Sequence, residues 1–85
     1  MTRRQKLAYN LHRLITLTDP QHRDIGMIAF NCEIREHHIR GYLKMEFDCN
    51  DRVIASMARY FGVTPEEMLA DPVIDAGWKQ LSPEV

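Results

Sequence analysis

Two cysteines and four histidines are the residues of this 85-residue chain best suited to chemistry, and four of the six cluster as Cys32, His37, His38 and Cys49. These are the ligand types of a tetrahedral zinc site. Their spacing, however, is C-x4-H-H-x10-C. Adjacent histidines on a helix point about 100° apart, and neither cysteine belongs to a C-x2-C pair. Cys32 also falls on an apolar stripe, where a thiol lacks the exposed, electropositive setting that generates a thiolate. The acid pair Glu66-Glu67 is explained by the helix start it occupies, and there is no glycine-rich phosphate loop. The expectation is no metal, no cofactor and no enzymatic activity.

The stretch EIREHHIRGYLKM, Glu33 to Met45, offers different chemistry, with three cations and two adjacent histidines on a short predicted helix. Ile39, Tyr42 and Leu43 share its apolar face. Arg35, Glu36, His37, Arg40, Gly41 and Lys44 are thereby left on the outer faces, with His38 near the boundary. The net charge is only −1, but it is unevenly spread: residues 1–44 carry eight Lys/Arg against four acids, and residues 45–85 three against eight. A bipolar chain can bind an anion with one end, and nucleic acid is the commonest large anion.

The elements that must position these residues read as helices throughout, since no segment alternates as a half-buried strand does. With 45% hydrophobic and 27% charged residues, the chain has the composition of a small globular domain. Five helices are expected. The first opens at Thr2, which can form a capping box with Gln5, carries Leu7, Leu11, Leu14 and Ile15, and stops at Asp19-Pro20. The second starts at Asp19-Pro20 or at Asp24, either of which offers a capping carboxylate, and buries Ile25, Ile28, Ala29 and Cys32. The third is the stretch above. The fourth is capped by Asn50 or Asp51, buries Val53, Ile54, Met57, Ala58 and Phe61, and ends at Gly62. The fifth opens with Thr64, Pro65 and Glu67 in a second capping box. Residues 1–70 then form one all-α bundle, and residues 71–85 a tail for docking or dimerisation.

The absence of a secretory signature, of a disulfide framework and of any apolar run near the roughly 18 residues of a membrane span makes a soluble, cytoplasmic chain the expectation.

The segment RVIASMARYFGVTPEEML is similar to the fourth helix, its "LGV" ending and the capped start of the fifth helix in the lambda-repressor-like, Cro-type helix-turn-helix family. Read backwards without a gap, Tyr42 falls where that family often has a large aromatic residue or leucine. Ile39 falls on its buried recognition-helix position, Ile34 on its apolar turn position and Ala29 on the small residue where the two helices cross. The resemblance runs from Leu14 to Leu69. Two positions depart from it: Glu33 stands where the turn usually has glycine, and Ile25 replaces a polar residue that often binds phosphate.

The resemblance implies a sequence-specific DNA-binding regulator, a small phage or bacterial repressor or autoregulator, whose third helix enters the major groove. It makes Arg35, Glu36, His37, His38 and Arg40 the candidates for reading or positioning DNA, and aims Lys44 at a phosphate. Arginine can bind guanine bidentately, glutamate can accept from cytosine, and histidine can do either. Gly41 would let the duplex approach closely. With Ile25 apolar, Arg23, Asn31 or a helix N-terminus must supply the missing phosphate contact. Arg3, Arg4 and Lys6 form either a basic arm or first turn that touches DNA, or a solubilising terminus. His12 and His22 have no visible partners and are expected to be solvated.

In the tail, Trp78 with Ile74 and Leu81 must bury its apolar surface on helix five or on a second subunit. A homodimer on an inverted-repeat operator fits, since two recognition helices then read half-sites about 34 Å apart. The alternative is an antitoxin or inhibitor that binds another protein through this tail, with DNA binding secondary or absent.

Overall fold

Local capping chemistry sets most helix boundaries. In the computed structural model, which describes residues 2–71, the Gln5 N–H donates to Thr2 Oγ1 at 3.2 Å and the Thr2 N–H to Gln5 Oε1 at 2.7 Å. This reciprocal box opens α1, Arg3–Thr18. The remaining helices are α2 (Ile25–Asn31), α3 (Glu36–Leu43), α4 (Asp51–Phe61) and α5 (Pro65–Met68), so the described residues are all-helical, without a strand. No described helix is long and apolar enough to cross a membrane. Asn50 caps α4 by accepting from the Val53 N–H at 2.9 Å, and Thr64 and Glu67 cap α5 reciprocally.

The start of α2 departs from the sequence reading. Asp24 occupies the capping position, but its side chain caps nothing, because its backbone (φ −107°, ψ 29°) lacks the extended conformation that aims a capping carboxylate at the next turn. Instead its N–H donates to Asp19 Oδ2 at 2.7 Å. That bond holds the Asp19 carboxyl below the ordinary carboxylate range.

Three helices end alike. Past α2, Glu33 N–H donates to Phe30 O and Ile34 N–H to Ala29 O; past α3, Met45 and Glu46 bond Tyr42 and Gly41; past α4, Gly62 and Val63 bond Arg59 and Ala58. Each is a Schellman closure, which satisfies the last carbonyls of a helix by placing one residue in the left-handed region. The residues so placed at these three ends are Glu33 (φ 60°), Met45 (φ 60°) and Gly62 (φ 74°). The turn between α2 and α3 therefore keeps its left-handed corner without glycine.

The core joins one stripe from each helix: Leu7, Leu11, Leu14 and Ile15 of α1; Ile25, Ile28 and Ala29 of α2; Ile39, Tyr42 and Leu43 of α3; Ile54, Met57 and Ala58 of α4; and Met68 of α5. Cys32 lies in it as expected, while Val53 and Phe61 are only partly buried. Removing such side chains from water is the main stabilising contribution, at about 1.5–3 kcal/mol for each large aliphatic residue. α1 packs on α3 and α5, α2 on α3, and α4 on α5.

Asn10 is the buried polar side chain of this core among the described residues. Its amide donates to Met68 O at 2.9 Å and to Ala70 O at 3.0 Å, clasping the end of α5 against α1. A buried amide without such partners would be costly.

Candidate nucleic-acid interface

Helix α3 is short because Arg35, extended at φ −99° and ψ 153°, begins it and the Met45 corner ends it. Its apolar side turns inward. Glu36, His37, Arg40 and Lys44 are exposed on the other side, Arg35 is exposed at the N-cap beside His38, Tyr42 and Val53, and His38 is half-buried. Five of the six residues in and beside α3 that were expected to face DNA are thus exposed, next to the four-residue turn that links α3 to α2.

Behind that surface lies an aromatic support. The His37 and His38 rings sit 4.4 Å apart, His38 meets Phe47 edge-on at 6.3 Å, and Phe47 meets Tyr42 edge-on at 5.2 Å. Phe47 corrects the expected role of Gly41. Gly41 is buried, and a methyl group there would overlap the Phe47 ring, so the missing side chain admits Phe47 and not a duplex.

Glu36 and Arg40 are paired with each other. Glu36 Oε2 accepts from Arg40 Nε at 2.8 Å and lies 2.7 Å from Nη2, with both side chains about half exposed. The other carboxylate oxygen, Oε1, lies 2.9 Å from where a β-carbon on Gly26 would stand. The first turn of α2 thus borders the carboxylate that holds Arg40, a juxtaposition the sequence reading missed. Only the glycine at position 26 could have signalled it.

Comparison with known proteins found no matching family model, no matching curated protein and no matching solved structure.

The remaining cations are differently placed. Arg3 and Arg4 lie in the first turn of α1 and do not extend as an arm. Arg3 Nη2 donates to Cys49 O at 3.0 Å and pairs with Asp51 at 3.2 Å; Arg4 Nε pairs with Asp48 at 3.3 Å; and Lys6 pairs with Asp71 at 3.0 Å. They tie α1 to the α3–α4 loop and to the end of α5. Exposed pairs of this kind hold their partners only weakly, by about 0.2–1 kcal/mol. Arg23 is exposed in the α1–α2 loop, and Asn31, exposed at the end of α2, donates its amide to Met27 O at 2.9 Å.

The two outlying histidines are not free in solvent. Their rings meet edge-on at 5.0 Å, His22 Nε2 lies 2.9 Å from Thr16 Oγ1, and both are half-buried. Burial, reinforced by His22, lowers the pKa of His12. Burial also pushes the Cys32 thiol up to about 11. Cys49 is in a loop as expected but buried, and burial raises its thiol too. Among the described residues, no group of three or more His, Cys, Asp or Glu is placed to hold a metal ion. Ile74, Trp78 and Leu81, expected to mediate dimer or partner contact, lie outside the described residues.

Proposed function

We propose that this chain is a sequence-specific DNA-binding regulator, a small repressor or autoregulator of phage or bacterial type, that lays α3 in the major groove and acts as a dimer on an inverted repeat. One observation carries the reading: α2 and α3 pack together across a four-residue turn, with Glu36, His37, Arg40 and Lys44 on the exposed side of α3 and Arg35 exposed at its N-cap. Two helices so joined are the unit by which many regulators present a recognition helix. Arg35 and Arg40 supply the planar donors that match guanine, and Lys44 a point charge for a phosphate. Arg23 adds a further phosphate contact from the loop before α2.

The test is selection of bound duplexes from a randomised pool by the purified protein at two salt concentrations. A two-fold symmetric motif is expected, with Arg35→Ala and Arg40→Ala each weakening binding to it by about 1–3 kcal/mol. Salt-sensitive retention of every sequence alike would leave only backbone electrostatics and sink the proposal.

A second reading, a protein-binding inhibitor or antitoxin, is favoured by Met27 and Phe30. These residues lie three apart on the outer side of α2 and are 60% and 76% exposed. A heteromeric complex recovered from the native host and lost on Phe30→Ser, with thermal stability retained, would support it.

A further inference from the structure

We propose that Glu36 does not read a base itself but positions Arg40 to read guanine, a role that rests on the DNA-binding reading above. A guanidinium has five N–H donors. Glu36 Oε2 engages the edge formed by Nε and Nη2, at 2.8 and 2.7 Å. The end-on edge, one N–H from each of Nη1 and Nη2, stays open. Those two parallel donors fit the adjacent O6 and N7 acceptors that guanine presents in the major groove.

Glu36 also borders α2. Its second oxygen packs over Gly26, where a β-carbon would stand 2.9 Å away. The carboxylate therefore lies between the first turn of α2 and Arg40, and swinging outward to accept from a cytosine would mean releasing the arginine beside it. An exposed ion pair adds little to stability, so the arrangement matters chiefly for where the guanidinium points. An arginine held by a carboxylate loses less freedom on meeting a base than one that samples the surrounding phosphates.

Three variants separate this role from direct reading: Arg40→Ala, Glu36→Ala and Gly26→Ala. Each is measured against the selected duplex and against duplexes substituted one base pair at a time. The wild type should prefer guanine at one position of each half-site by about tenfold or more, and Arg40→Ala should abolish that preference. Glu36→Ala should reduce it to about threefold or less while other positions keep their discrimination. It should also steepen the salt dependence, because the freed arginine can now pair with a phosphate. Gly26→Ala displaces the carboxylate from the α2 side and leaves the Arg40 side chain in place. It should relax the same position with an unchanged or raised Tm, since alanine favours a helix over glycine.

If Glu36→Ala leaves the guanine preference intact, or removes discrimination at a different base pair, the positioning role fails and the DNA-binding reading stands. If the wild type selects no motif, both fail together.

Discussion

Glu33 and Gly62 hold the same left-handed backbone position, one past the end of α2 and the other past the end of α4, at φ 60° and 74°. Each donates to the corresponding carbonyl of its helix, and the residue after each closes the turn. Glycine adopts this conformation freely, whereas a residue with a β-carbon does so at a cost of about 1–2 kcal/mol, partly offset by glycine's greater loss of freedom on folding. Glu33→Gly should therefore stabilise the domain by about 1 kcal/mol and Gly62→Ala destabilise it by about as much. Nothing lies within 4 Å of a β-carbon at position 62, so that cost is one of backbone alone. Urea denaturation should show shifted midpoints at an unchanged slope.

Gly41→Ala would force the new methyl into the Phe47 ring. A net loss of about 1 kcal/mol is expected, the overpacking cost being partly offset by alanine's preference for a helix over glycine. The loss should shrink in a Phe47→Leu background, and a double-mutant cycle by thermal or urea unfolding measures that coupling.

Asn10→Ala removes both donors from Met68 O and Ala70 O, at 2.9 and 3.0 Å. Leaving the buried Met68 carbonyl unpaired should cost about 1–3 kcal/mol. Lys6→Ala breaks only the exposed pair with Asp71 and should stay within about 0.5 kcal/mol. Similar midpoints for the two variants would refute the clasp.

His12 has a folded pKa below its ordinary 6.5, first because of burial and then because of His22. The unfolded chain thus binds the proton more readily, and stability must fall as pH drops through 6.5 towards the lowered folded value, becoming constant again below it. Tm should be lower at pH 5.5 than at pH 7.5, roughly the window set by that pKa. His12→Gln should flatten the difference, and an unchanged pH profile in that variant would show that His12 is not its source.

Lys44, exposed one residue past α3, should act as a point charge under the proposed function. Lys44→Ala is expected to weaken all duplexes about equally and to lower the salt slope by about one. A loss confined to one base pair, seen by titrating substituted duplexes, would instead make Lys44 a reader.

The helices were legible because their signals are local. Thr2 with Gln5, Asn50, Gly62, and Thr64 with Glu67 act over three or four residues, and the apolar spacing of Leu7, Leu11, Leu14 and Ile15 names its own buried side. The exposed set on α3 followed from the same spacing. Asp24 misled because a capping residue type does not guarantee the backbone that aims it.

The five helices of the described residues, their order and the apolar side of each thus follow from local sequence, since backbone capping and helical periodicity are set by near neighbours. Helix packing alone brings Phe47 into the space at Gly41, Gly26 against Glu36, Asn10 to Met68 and Ala70, and Arg3 and Arg4 to the α3–α4 loop. Most of these partners lie 10 to 60 residues apart in the chain. Their meeting depends on how the helices pack, which no local pattern encodes.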